Sequence, residues 1–154
     1  DSDFIQELVN TPGWLRFIGD RNVQTEADAV RYIQKMIEGP DATIHVIRLR
    51  EGNIPIGITT LIRRAYLEAP DIGFALLPDY EGIGYSREAS AAVIDALSSS
   101  GALQEVLAMT LPDNERSIRL LERLDLTLDR RETIDDEELL IFKIDLKKKN
   151  ADLL

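Results

Sequence analysis

A single helix separates two short apolar strands in the middle of this chain, and that arrangement narrows the possible folds more than any other feature. Asp71 to Leu77 reads as a strand and Gly82-Ile83-Gly84 as a tight turn. A helix follows, with Ala89, Ala92, Val93, Ala96 and Leu97 at spacings of three and four, and Val106 to Met109 reads as a short buried strand. One helix between two strands argues for a parallel crossover. Elsewhere the pattern is antiparallel: Thr43–Arg50 and Ile54–Ile62, joined by Glu51-Gly52-Asn53, read as a hairpin, and two final strands are expected near Leu126–Arg130 and Leu139–Leu146.

Helices are expected from Asp3 to Val9, from Thr25 to the stop at Gly39-Pro40, and from Glu115 to Leu124, while Asn10-Thr11-Pro12-Gly13 reads as a turn. Thr25 with Asp28 three residues on has the spacing of a capping pair. The expected order is α, α, β, β, β, α, β, α, β, β. The fold class is α/β (α+β), with a mixed, mostly antiparallel central sheet, one parallel crossover and helices on both faces.

With 154 residues the chain is expected to form one domain over 1–146, followed by a basic and polar C-terminal tail over 147–154 that begins at Lys147-Lys148-Lys149. A net charge of −10 argues against a nucleic-acid partner, because phosphate backbones are bound by clustered lysine and arginine. The same charge would favour cationic amine substrates in solution, but an acidic surface that serves solubility alone is the preferred reading. No apolar run approaches a membrane span, and the first residues do not read as a secretory signal, so a cytoplasmic protein without a membrane partner is expected. The chain has no cysteine, and a lone His45 cannot supply a multi-histidine site, so no metal is expected.

The glycines at 82 and 84 admit two readings. They permit a sharp turn, or they let a phosphate approach the bare N–H groups at the start of the following helix. Their place at the carboxyl end of a strand beside a parallel crossover favours the ligand. A Walker-type loop is excluded because Gly84 is followed by Tyr85-Ser86, and a dinucleotide fingerprint because position 87 is arginine.

"DIGFALLPDYEGIGYSREA" (Asp71–Ala89) and "LPDNERSIRLLERL" (Leu111–Leu124) resemble the two signature segments of the GNAT superfamily of acyl-CoA-dependent N-acetyltransferases, with the RimJ/RimL-like branch the most similar. "NTPGWLRFIGDRNV" (Asn10–Val23) is similar to the acceptor-side region of that branch. The resemblance covers nearly the whole chain. Members usually begin with a short strand, so a first strand is expected to be missing ahead of Asp1.

The resemblance implies that acetyl-CoA is the cosubstrate. Its pantetheine arm would pair with Leu76 and Leu77, its pyrophosphate would lie on the amides of Gly82, Ile83, Gly84, Tyr85 and Ser86, and Asn114 would contact it. Asn114 also reads as the N-cap of its helix. The reaction implied is direct attack of an amine, on a small molecule or a protein N-terminus, on the thioester. A backbone N–H near Leu77 would face the acyl oxygen, and Ser117 would assist the leaving thiolate, the family's frequent tyrosine being Leu121 here. Ser117 reads equally as an ordinary helix hydroxyl.

Asp71 and Glu68 are the candidate bases, and Trp14, Arg16 and Phe17 the candidate acceptor wall, with core packing as the other reading of the aromatic pair. A monomer or a homodimer fits. Glu81 and Ile83 depart from the basic or amide residues usual in the loop, and Asp125 from the usual glycine. These departures motivate an alternative: a catalytically weakened protein that binds or senses acyl-CoA.

Overall fold

The computed structural model describes residues 1–151. The elements are α1 (Ser2–Val9), α2 (Pro12–Phe17), α3 (Glu26–Glu38), β1 (Ala42–Arg48), β2 (Pro55–Ile62), β3 (Asp71–Leu76), α4 (Tyr85–Ser100), β4 (Glu105–Thr110), α5 (Glu115–Arg123), β5 (Thr127–Ile134), β6 (Glu137–Asp145) and α6 (Leu146–Ala151), with a 3-10 turn at Pro78–Tyr80.

Local chemistry accounts for most of these boundaries. α3 starts at a complete capping box, the Thr25 side chain accepting from the Asp28 N–H while the Asp28 carboxylate accepts from the Thr25 N–H. α5 starts at Asn114, whose side chain accepts from the Ser117 N–H at 3.2 Å. It stops at Asp125, which takes the left-handed conformation at φ 67° while the Leu126 N–H returns to the Leu121 carbonyl.

Three expectations need correction. The segment read as a turn at Asn10–Gly13 opens α2: Thr11 caps it and Pro12 occupies the first helical position, where its missing N–H costs nothing. The basic run expected to be a solvated tail lies on α6, and Lys149 pairs with Asp95 of α4 at 3.0 Å. The remainder of that expected tail, 152–154, lies outside the described residues. Finally, the fully buried positions of α4 are Ser90, Ile94 and Ser98; of the expected stripe, Val93 and Leu97 pack against this core, whereas Ala92 and Ala96 face solvent.

The six strands form one sheet in the order β1-β2-β3-β4-β6-β5. Every neighbouring pair is antiparallel except β3 and β4, which α4 connects. Alternation along the strands gives each sheet face its own core. Ile58 and Leu77 pack with Phe4, Leu8, Trp14 and Val23 beneath α1–α3, and Ile72, Val106 and Phe142 pack with Ile94, Leu121 and Leu124 beneath α4 and α5. The crossover therefore carries its helix to one face while the first three helices close the other.

Candidate active site

The sheet is incomplete at its centre. β3 and β4 register at one pair, Asp71 with Leu107, where the Leu107 N–H donates to the Pro70 carbonyl at 2.9 Å. Beyond that rung the ladder stops, leaving a wedge that opens toward the carboxyl ends of both strands. The Leu77 N–H donates to the Ile56 carbonyl at 2.8 Å, and antiparallel alternation then turns the polar groups of Ala75 and Gly73 toward β2 as well. Those of Phe74 and Leu76 face the wedge, with no strand opposite to receive them. Leu77 therefore cannot offer its own N–H to an acyl oxygen, and the free donor at this end of β3 belongs to Leu76.

The chain leaves the wedge through the 3-10 turn and the glycine loop. Gly82 and Gly84 have φ of 74° and 109°, and a Cβ on either would meet nothing within 4 Å. The glycines thus answer to backbone angle, and the space above them is open. Gly84 is the N-cap of α4 and has no side chain with which to cap it, and the first intrahelical bond runs from Glu88 N–H to the Gly84 carbonyl. The N–H groups of Tyr85, Ser86 and Arg87 consequently have no partner within the helix, at its positive dipole end. Such a surface fits a phosphate.

Glu81, the carboxylate least suited to such a loop, is engaged by Arg116 of α5. That ion pair neutralises the charge and ties the glycine loop to the helix on the other side of the wedge. Ile83 is 65% exposed. Ser117 is half-buried, one turn before the buried Leu121 on the same face of α5, so it lies on the inward side of that helix.

The acceptor-side residues divide. Trp14 is core: it is 5% exposed and clusters with Leu77, Val23 and Phe4, although its indole N–H is buried without a partner. Arg16 and Phe17 are near the surface, with the Arg16 guanidinium 4.6 Å over the Phe17 ring centroid. Arg16 also reaches Asp113, in the loop leaving β4, at 3.1 Å.

The two candidate bases do not join this assembly. Asp71 stands at the closed foot of the wedge, five residues from Leu76, or about 17 Å along the strand. It is buried and accepts from Arg64 Nε at 2.7 Å. Burial pushes its carboxyl above the ordinary value of 3.8, against the opposing pull of Arg64. Glu68 is gripped by both terminal nitrogens of Arg130, at 2.8 and 2.9 Å, which hold it below the usual carboxylate range. His45 is exposed on the edge strand β1. Among the described residues no group of three or more His, Cys, Asp or Glu side chains is placed to hold a metal ion, and no helix is long and apolar enough to cross a membrane.

A central sheet parted between its parallel strands β3 and β4, with a glycine-lined helix start at the opening, has counterparts among known proteins. Residues 1–127 match the acetyltransferase (GNAT) domain family. The chain belongs to the GNAT acetyltransferase family. An uncharacterized N-acetyltransferase, YnaD of Bacillus subtilis (strain 168), is 25% identical over 124 residues, 80% of this chain and 72% of the relative. The fold is shared with the spermidine N-acetyltransferase of Vibrio cholerae solved with CoA and spermine, at a TM-score of 0.81 and 15% identity over 96% of this chain and 91% of that one. It is shared also with the ribosomal-protein-S5-alanine acetyltransferase of Vibrio fischeri, at a TM-score of 0.65 and 21% identity over 80% and 73%. Membership makes acetyl transfer the chemistry of this GNAT chain.

Asp113 and Arg116 are the residues that inspection of the sequence passes over. Both lie within the second signature segment, next to Asn114 and Ser117. Their partners Arg16 and Glu81 are 97 and 35 positions away, so no local spacing marks them.

Proposed function

We propose that this chain transfers the acetyl group of acetyl-CoA to a primary amine, on a small molecule or a protein N-terminus, by direct attack. The observation that carries this reading is the unpaired Leu76 edge of β3 beside the bare amides of the glycine loop: one surface suits an amide-bearing arm that adds as a strand, and the adjoining one suits a pyrophosphate. Acetyl-CoA, when bound, supplies the activated acyl carbon.

The remaining work falls to the chain. The Leu76 N–H is the donor for negative charge developing on the acyl oxygen. The amides from Gly82 to Ser86 hold the diphosphate, with Asn114, the N-cap of α5, as a further contact. Ser117 gives a hydrogen bond to the departing sulfur, a role Leu121 cannot fill. Asp71 and Glu68 take no part as bases, since each is tied to an arginine away from the opening; the amine proton leaves through solvent. Arg16 and Phe17 border the acceptor entrance, and Trp14 supports them from the core.

The RimJ/RimL-like branch is the favoured placement, supported by the signature segments and by the fold shared with the S5-alanine acetyltransferase. We take 1–146 as the catalytic domain, acting in the cytoplasm as a monomer or homodimer. The Glu81–Arg116 pair removes one of the departures that motivated an acyl-CoA sensor, because it neutralises the charge that would most oppose the cosubstrate. A screen of amines and amino-terminal peptides with acetyl-CoA, followed by release of free thiol, tests the proposal. Thiol release with at least one acceptor is expected; saturable acetyl-CoA binding with no acceptor acetylated would leave the sensor.

A further inference from the structure

The ion pair between Arg16 and Asp113 spans the mouth of the wedge. α2 belongs to the helices packed over β1–β3, whereas Asp113 belongs to the loop leaving β4. From the Asp71–Leu107 rung the chain runs five residues to Leu76 and, past the end of β4 at Thr110, six to Asp113. The pair thus joins the carboxyl-end sides of β3 and β4, Arg16 coming from the α1–α3 face of the sheet, while the glycine loop leads to α4 on the other.

With side chains 65% and 64% exposed, the pair contributes little to stability, and a charge from solution can replace either member at small cost. The two members are not equivalent. Arg16 has a second attachment, the face of Phe17, which it keeps when Asp113 is taken away. Asp113 has no other cation within ion-pair distance among the described residues, and the neighbouring Glu115 is itself paired with Arg119 at 3.6 Å. An incoming cation therefore completes Asp113 and lets Arg16 fall back on Phe17. An incoming carboxylate would take Arg16 and leave Asp113 without a cation. The net charge of −10 draws cations to the surface in the same sense.

We infer that Asp113 is a specificity-determining residue and that the acceptor is a diamine: one amino group attacks, and the second, as an ammonium, displaces Arg16 from Asp113. The inference rests on the acetyl-CoA-to-amine reading. In the step, the unprotonated nitrogen forms a bond to the acetyl carbon, the carbon–sulfur bond breaks, the nitrogen loses its proton to solvent, and the thiolate gains one. The second ammonium is unchanged throughout. Arg16 is an internal stand-in for it.

The test compares 1,4-diaminobutane with butylamine as acceptors, and measures calorimetric binding of 1,4-diaminobutane to the CoA-loaded protein. Wild type is expected to prefer the diamine by tenfold or more in kcat/KM, mainly through KM. Asp113→Asn should bring that ratio near unity and weaken diamine binding about tenfold, and Asp113→Glu should keep most of the preference. Arg16→Gln should lower KM for the diamine twofold to fivefold, since the competitor is gone. An unchanged ratio in Asp113→Asn, or a raised diamine KM in Arg16→Gln, would overturn the inference, as would wild type that fails to bind the diamine. Asp113-dependent binding without acetylation of either amine would uphold the diamine site and sink the acetyl-transfer reading alone.

Discussion

The two ends of β3 are six residues of one strand with opposite fates. At the foot, Asp71 pairs with β4, is buried, and meets Arg64 in an ion pair whose carboxylate is shielded from water. At the mouth, Leu76 has lost its neighbour on the β4 side, the glycine loop is exposed, and the charges that cross the opening, Arg16–Asp113 and Glu81–Arg116, are largely solvated. The foot holds the sheet halves together and the mouth is left free to bind. A carboxylate at the foot is thus structural although its burial raises its pKa, and a perturbed titration alone would have pointed to the wrong end of the strand.

That contrast is open to direct attack, beginning with the foot. Asp71→Ala leaves Arg64, itself one-third exposed, without its carboxylate, and should cost about 2 kcal/mol after allowance for solvent at Arg64, lowering Tm by roughly 4–8 °C. CoA affinity at a permissive temperature should be unaltered. A selective loss of affinity or turnover in a fully folded Asp71→Ala protein would break the division between foot and mouth.

Asp71→Asn should be milder, because the amide oxygen can still accept from Arg64. It also carries the pH prediction. The folded pKa of Asp71 is raised above 3.8, so its contribution to stability is fully present below the unfolded pKa and lost as pH rises through the folded one. Stability measured against pH should lose that part of its slope in Asp71→Asn.

At the mouth the expected pattern reverses. Ser117→Ala should lower kcat about tenfold to hundredfold with acetyl-CoA affinity nearly unchanged, because the hydroxyl is needed mainly in the transition state; an unaltered kcat would return Ser117 to the status of a helix-surface hydroxyl. Gly84→Val should weaken CoA binding about tenfold, since φ of 109° is closed to a β-branched residue and the side chain would fill the approach to the amides. Titration calorimetry with CoA reads this directly, and normal binding would move the phosphate site elsewhere. The smallest effect is expected for Glu81→Gln, a change of threefold or less in CoA affinity, because Arg116 already neutralises the carboxylate. A large loss would show that the loop depends on the ion pair for its shape.

Much of the fold was legible in local chemistry. The capping box at Thr25, the apolar face of α5, the hairpin of β1 and β2 and the crossover through α4 all follow from spacing and turn residues, and each was observed within a few positions of its expected place. The helix α2 was written in the sequence as well, in Thr11 followed by Pro12, but Pro12-Gly13 is equally a turn signal, and only docking of Trp14 against Leu77 and Val23 selects the helix. In α4 the alanines suggested an inward stripe that the structure gives to Ser90, Ile94 and Ser98. Alanine and serine differ little in size, and which face turns inward depends on the sheet beneath.

By itself, the sequence determined the elements that arise from neighbours along the chain: capped helices, glycine turns, alternating strands, and a glycine loop placed at a helix start. It could also have separated Asp71 from Leu76, since strand rise alone sets them apart. Only the tertiary structure decided which backbone groups β3 leaves unpaired, that Glu81 is neutralised by Arg116, and that Arg16 and Asp113 close the mouth between them. The reason is physical. Caps, turns and amphipathic periods are interactions over a few residues, whereas an ion pair across 97 positions, or a hydrogen bond withheld because two strands part, exists only once the whole sheet has formed.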